Sequence, residues 1–280
     1  MVKEATGAGL EFVPTQLSRE IIKLVREKTW CRQLFSVVQM GSNKVEIPKV
    51  TGGATAYWTD EVGSITSSDL TTAKVSLEAK KLAALVPVST EIIEDANIGI
   101  LDLVINDIAA AIADKEEDAF INGDTAADGP FDGLIKLAGA TVDGGNNALS
   151  EDEIRKAMAN LGKYGRNKAD LVILASPNNI SDMLAWDELR TVDKYGPHAT
   201  VITGEVGKVY GARVIESAYM PDNKVLVLNK NAPVIGDRRK ITMQKQYDID
   251  TDSWKVQATE RVAFAVRWTE AICKIINVSP

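Results

Sequence analysis

Several groups of residues in this chain have types and spacings that could do chemistry. GEVGKV (Gly204–Val209) has the glycines and lysine of a loop that cradles phosphate. It lacks the four-residue spacing between glycines, and the Ser or Thr after the lysine that would hold magnesium. It therefore predicts a turn before a strand at Arg213. Asp248, Asp250 and Asp252 alternate like the first ligands of a calcium loop. The sixth position is Ser253, where glycine is needed, and the twelfth is Thr259 rather than a bidentate glutamate. A solvated hairpin turn is the simpler reading. Asp114–Asp118 (DKEED) gathers carboxylates near a helix end, the composition of a metal or acid/base site. Acids in a last turn oppose the helix dipole, and a solvated face or a partner's basic surface accounts for them. His198, the only histidine, sits in YGPHAT without a serine or cysteine motif to activate. A single histidine excludes most histidine-based metal sites and leaves a Ser-His-Asp triad one possible base. Cys31 and Cys273 form neither a zinc motif nor a disulfide framework and read as buried thiols. No catalytic residue, metal or cofactor is expected.

Tyr57 and Trp58 point to binding rather than reaction: they make either a local packing contact or, on the favoured reading, an anchor on another subunit. Aromatics concentrate at buried interface centres. These two sit in GSNKVEIPKVTGGATAYWTDEVGSITSSDLTTA (residues 41–73), rich in Gly, Ser and Thr and poor in large apolar residues. Such a stretch cannot bury much of itself, and a structureless loop of that length is unusual inside a compact domain. The pattern predicts a two-stranded excursion from the body. It leaves along Val45–Val50 and returns along Lys74–Val88, where Val75, Leu77 and Ala79 alternate with polar residues. Neither it nor the irregular arm of residues 1–14 has a core to join within one chain.

The elements that must hold this excursion are clearer. Leu17, Ile21, Leu24 and Val25 make one helical stripe, and Cys31, Leu34 and Phe35 extend its apolar character. Ser89 or Thr90 caps a short helix to Asn97. Leu101, Val104, Ile105, Ile108 and Ile112 predict a helix over residues 98–121, ~36 Å long, ended by Gly123. Residues 122–147 (NGDTAADGPFDG, then GATVDGGNN) read as loop and domain border. A second unit opens with a capping box, Ser150 and Glu153, and a Leu149–Ile154 staple. Ile154, Ala157, Met158 and Leu161 form its stripe. Leu171–Ala175 is a strand buried on both faces, Ser176-Pro177 starts a helix, and Arg213–Ile215 and Val225–Leu228 are short strands. The last third is a hairpin. Ile241, Met243, Tyr247 and Ile249 are apolar at odd numbers; Trp254, Val256, Ala258, Val262, Phe264 and Val266 at even numbers. A two-residue turn at Thr251-Asp252 pairs 250 with 253, puts both rows on one face, and makes Lys245 and Glu260 diagonal neighbours that could pair. The fold class is α+β.

With 280 residues and 45% apolar content the chain can bury a real core. Its net charge of −7 argues against a dedicated nucleic-acid binder. No apolar run approaches the ~18 residues of a membrane span, and residues 1–10 lack the apolar core of a signal peptide. A soluble protein made in a cytoplasm is expected.

Read in order, the parts resemble the major capsid protein family of tailed bacteriophages. GAGLEFVP and the stripe after it resemble the end of an N-arm and its helix. IPKVTGGATAYWTDEVG resembles the extended loop, with Trp58 and Glu61 in the places of its aromatic and glutamate. KKLAALVPVSTEIIEDA resembles the strand leading into the spine helix, DKEEDAFINGD the end of that helix, and GPFDGL the link beyond. GARVIESAYMP and ERVAFAVRWTEAICKI resemble later strands. The resemblance implies an N-arm and first helix (1–40), an extended loop (41–80), a peripheral domain (81–135 and 234–269) and an axial domain (136–233 and 270–280). It implies pentamers and hexamers closing into an icosahedral shell around double-stranded DNA. Scaffolding or portal proteins are implied as further partners, assembly occurs in a host cytoplasm, and no membrane is involved. The extended loop would lie across a neighbouring subunit, making Tyr57, Trp58, Glu61, Lys74, Lys80 and Lys81 the inter-subunit contact candidates. Some members cross-link subunits by a lysine–asparagine isopeptide bond; Lys74, Lys80 and Lys81 lie near the excursion, but no asparagine or glutamate partner can be matched.

Two other readings use the same residues. An encapsulin-like compartment would share the fold and hold protein cargo instead of DNA. An α/β enzyme with a phosphate-binding loop at Gly204–Lys208 would be compact, with a radius of gyration near ~19 Å.

Overall fold

The computed structural model describes residues 11–12, 30–53, 56, 58, 67, 69, 71–91, 100–186 and 207–279. The expected helix at Leu17–Val25, most of the short helix before Asn97, and His198 lie outside them, as do Tyr57, Glu61 and Gly204–Val206. In chain order the elements are β1 (Glu11–Phe12), α1 (Trp30–Leu34), β2 (Ser36–Gln39), β3 (Lys44–Gly52), β4 (Thr71–Glu78), β5 (Lys80–Ser89), α2 (Ile100–Asn122), α3 (Leu134–Leu137) and β6 (Ala140–Asn147). There follow α4 (Glu151–Asn160), β7 (Leu171–Ala175), α5 (Pro177–Ala185), β8 (Lys208–Val209), β9 (Ala212–Glu216), β10 (Lys224–Asn229), β11 (Pro233–Asp248), β12 (Ser253–Val266) and β13 (Ile272–Val278).

Three sheets organise them. The first runs β1-β11-β12-β5, with β2 also on β11. The second runs β6-β13-β10-β7-β9-β8, and β3-β4 stands as a two-stranded sheet of its own. The mixed α+β class is as the apolar periodicity predicts. Helix α2 packs Ile108, Ala109, Ile112 and Ala113 onto Ile241, Met243, Val256 and Ala258 of the first sheet. In the second sheet Ile154, Ala157 and Met158 of α4 cover Leu171, Ile173, Val225 and Val227. A third cluster, with Phe120, Phe131 and Phe264 among Val172, Leu226 and Ile272, joins the two sheets.

The capping box at α4 is present: Glu153 accepts from the Ser150 N–H at 2.7 Å and from its hydroxyl. Ser150→Ala costs about 1 kcal/mol of unfolding free energy, because it exposes the first-turn N–H groups of a helix whose stripe seals the second sheet. Chemical denaturation of the two proteins measures it.

Four expectations change. The return strand is two strands: β4 pairs with β3, and after Ala79, whose N–H donates to the Asn43 carbonyl at 2.9 Å, the chain switches to β12 as β5. The segment 140–147 is not loop but an edge strand parallel to β13. Edge position, with Val142 as its buried large side chain, explains why no apolar run announced it. Toward the turn the hairpin register is shifted by two residues, with Asp248 opposite Ser253 and Lys245 opposite Val256, and irregularities between Asp237 and Thr242 shift it by two more at the base, where Val234 faces Ala265. Parity survives a two-residue slip, so both apolar rows still share a face, but Lys245 lies over the Trp254 ring and does not meet Glu260. Finally, the root of the excursion does have a core within its own chain. Val75, Leu77 and Ala79 are buried against Met40, Val234, Ala263 and Ala265. The small residues Ala263, Ala265 and Gly236 let that second layer approach; a Cβ on Gly236 would stand 2.6 Å from the Met40 sulfur.

Candidate assembly surface

Alternation builds the excursion. Val45, Ile47 and Lys49 turn inward from β3, and Val75 and Leu77 from β4. Lys49 Nζ straps it down through the Arg267 carbonyl at 2.9 Å, and Arg261 Nη2 donates to Asn43 Oδ1 at 2.6 Å. Past Ile47 and Lys49 this burial stops, and Val50 is exposed. Trp58 is 102% exposed: its indole is left uncovered by its own chain. The excursion thus combines a root buried on its own chain with an exposed aromatic, Trp58.

The lysine candidates lie along the root. Lys74 Nζ donates to Glu46 Oε2 at 2.8 Å, and Lys80 Nζ to Glu78 Oε1 at 2.6 Å, all four being exposed. The hydrogen bond from Lys74 holds the Glu46 carboxyl below its ordinary range and the ammonium above its own. A lysine that is to attack as a free amine needs the opposite, a dry site that drives its proton off. Lys80 and Lys81, with Lys115, border a cavity of about 390 Å³ walled by Leu82, Phe131 and Val262 and reaching Glu116. The structure thus brings Lys80 and Lys81 together at one cavity and Lys74 and Lys80 together at a second, which Lys49 and Phe264 also line.

The discounted motifs fall into place. Asp248 pairs with Lys255, and Asp252 accepts from the Tyr247 hydroxyl at 2.6 Å, in a four-residue turn, Ile249–Asp252. Gly207 precedes β8, which turns at Tyr210 and Gly211, both at positive φ, into β9.

The DKEED reading is corrected: Glu116 and Glu117 are buried. Arg32 of α1 donates through Nε to Glu116 Oε2 at 2.9 Å and through Nη2 to Glu116 Oε1 at 2.5 Å. Its Nη1 reaches both oxygens of Asp237 on β11 at 3.0 and 3.2 Å, and Nη2 also bonds Glu260 on β12. Glu117 accepts from Trp30 Nε1 at 2.6 Å and from the Ser217 hydroxyl. Burial, reinforced by Glu116, pushes the Glu260 carboxyl up to about 8, and burial raises Glu116 as well, against the pull of Arg32. The cluster was missed although a signal was present. Positions 116 and 117 continue the spacing of Ile108, Ala109, Ile112, Ala113, Phe120 and Ile121, so helical period alone puts them on the buried stripe.

Residues 9–276 match the family model described as Phage capsid family. The chain is 32% identical over 131 residues to the major capsid protein of Klebsiella oxytoca phage phiKO2, covering 46% of this chain and 31% of that protein. It is 25% identical over 274 residues to the major capsid protein of Escherichia phage T5, covering 90% of this chain and 59% of that one. The chain therefore spans less than two thirds of the length of either relative. Among solved structures, the capsid of a native GTA particle computed with C5 symmetry superposes with TM-score 0.73 at 18% identity, covering 100% of this chain and 96% of that one. A chain from Mycobacterium phage Adephagia gives 0.68 at 20% identity, covering 90% and 91%. These likenesses establish the fold.

Proposed function

The chain belongs to the Phage capsid family, and from that premise we propose that it is the major structural subunit of an icosahedral shell, assembled from pentamers and hexamers around double-stranded DNA. Residues 81–135 and 234–269 form the peripheral domain in this reading, and 136–233 with 270–280 the axial domain that converges on the local symmetry axes. The division between the first and second sheets supports that assignment. Residues 1–40 are the N-arm and first helix, and 41–80 the extended loop.

The observation that carries the proposal is the exposure of Val50 and Trp58 on the excursion above a root that is buried. Trp58, with Tyr57 and Glu61 close by in sequence, anchors on a second copy. Asp60 and Glu61 supply acidic partners for that copy's Lys80 and Lys81, while Lys74, paired with Glu46, lines the hairpin's flank. Scaffolding or portal proteins are the further partners, assembly takes place in the host cytoplasm, and the product is the virion capsid. An acidic chain holds DNA through few neutralised phosphates, so contact with the genome is weak and non-specific.

Electron microscopy of the purified protein tests this. The wild type gives closed particles or capsomer rings containing nuclease-protected DNA when taken from infected cells. Trp58→Ala weakens each contact by roughly 2 kcal/mol or more, the loss of an aromatic anchor, and removes particles at concentrations where the wild type forms them. Its unfolding midpoint is unchanged, because Trp58 is exposed in the single chain. A wild type that stays single under every assembly condition, or a Trp58→Ala that assembles equally well, overturns the proposal. Particles filled with protein cargo and no DNA would identify a compartment instead.

A further inference from the structure

The Arg32 cluster does something that a capsid wall does not require. One guanidinium faces the carboxylates of Glu116, Asp237 and Glu260, all with side chains no more than 3% exposed. Were all three ionised, the seam would hold a net charge of −2 away from water. The oxygens are not equally served. Both oxygens of Glu116 and both of Asp237 accept from Arg32, and Gln39 Nε2 approaches Asp237 at 3.5 Å. Glu260 has one oxygen on Arg32, while Oε2 is buried without a hydrogen-bond partner. An unsatisfied neutral hydroxyl in a dry site costs far less than an unsatisfied anionic oxygen.

We propose that this cluster is a proton-binding site, that Glu260 carries the proton at neutral pH, and that its release in mild alkali loosens Trp30–Gln39 from α2 and the first sheet. The charged and titratable groups around Glu260 agree. Arg32 faces it from α1, Glu116 from α2 and Asp237 from β11, while the Cys31 thiol lies near Arg32, Glu116 and Glu117, and Glu117 itself is tied to Trp30 and Ser217. Opposite it on β5 stands Leu82. Of the neighbouring cations, Arg239 donates to Thr259, Arg261 to Asn43 and Lys80 to Glu78, while Lys81 beside Leu82 is exposed. No second cation among the described partners of Glu260 compensates it. The lysine-rimmed cavity that reaches Glu116 gives water, and hence the proton, a route. The element that yields is the smallest. Helix α1 has 5 residues and β2 has 4, against 23 in α2 and 14 in β12. Glu117 remains a second tie through Trp30.

The sign follows from the direction of the shift. A carboxyl raised in the fold contributes stability in full below its unfolded value of 4.5; the contribution fades as pH rises to about 8. Wild-type protein therefore loses stability between about pH 5 and pH 8, and Glu260→Gln, which keeps the shape of the neutral acid, loses much less, the remainder coming from Glu116. Amide exchange of residues 30–40, corrected for intrinsic rate, accelerates on the order of tenfold in the wild type between about pH 6 and pH 9 and stays flat in the variant. Infrared difference spectra of the wild type show a protonated-carboxyl band at neutral pH that titrates away in mild alkali and is missing from Glu260→Gln. Absence of that band from the wild type at neutral pH, its survival in Glu260→Gln, or identical exchange profiles for the two proteins overturns the inference. Each readout is made on the single chain, so none depends on shell assembly.

Discussion

Arg32→Ala lowers the thermal unfolding midpoint on the order of 10 °C at about pH 8, from a loss of about 3–5 kcal/mol. Removing one partner of a buried ion cluster is costly because the others stay behind. Here the remainder is Glu116, Asp237 and Glu260, with every contact to the guanidinium gone and little water to replace it. The cost depends on pH in a direction that separates it from lost packing. Uncompensated buried carboxyls take up protons in the fold more readily than in the unfolded chain, so the penalty is small near about pH 4 and grows as pH rises. Differential scanning calorimetry of both proteins across that range measures it. A pH-independent loss would mean that Arg32 matters through its packed methylenes alone.

Phe264→Ala is expected to cost about 3–5 kcal/mol, the range for emptying a large aromatic from a core. Its ring lies 5.0 Å from that of Phe120 and 5.7 Å from that of Phe131, and those two are 5.6 Å apart. The three come from β12, α2 and the link into the second unit. They meet Leu226 and Ile272 of the second sheet, so the site joins the two sheets rather than filling one. Rigid backbones on both sides limit collapse into the void, which keeps the cost in the upper part of that range. Denaturant unfolding measures the loss. Two transitions in place of one would show that the substitution has uncoupled the units.

These expectations rest on features the sequence displayed unequally. The long helix was readable from Val104, Ile105, Ile108 and Ile112, because a 3.6-residue period needs no distant partner to be seen. Helix α4 was readable from Ser150 and Glu153, whose capping contacts span three residues. The hairpin was readable as a shared face but not as a register. A slip of two residues preserves parity, so only the four-residue turn, held by Asp248 and Asp252, fixed which residues oppose each other. Strand β6 was illegible, since an edge strand of Gly, Asp and Asn owes its form to β13 and carries no apolar rhythm of its own.

By itself, then, the amino-acid order determined what local physics can determine: where the long helix α2 and helix α4 lie, which strands have a wet face, and that residues 41–73 are too poor in large apolar side chains to form a core of their own. It also carried the succession of parts that marks the family. The tertiary structure alone decided which charges meet. Helical period can put Glu116 and Glu117 on a buried stripe, but Arg32, Asp237 and Glu260 are separated by as many as 228 residues. A carboxylate's cost or benefit is set by the dielectric and the charges within a few ångströms of it, and neither is a property of its neighbours in sequence. The same holds for the excursion: alternation showed a hairpin, but only the small residues Ala263, Ala265 and Gly236 on a distant layer determined that its root is buried while Trp58 is left exposed.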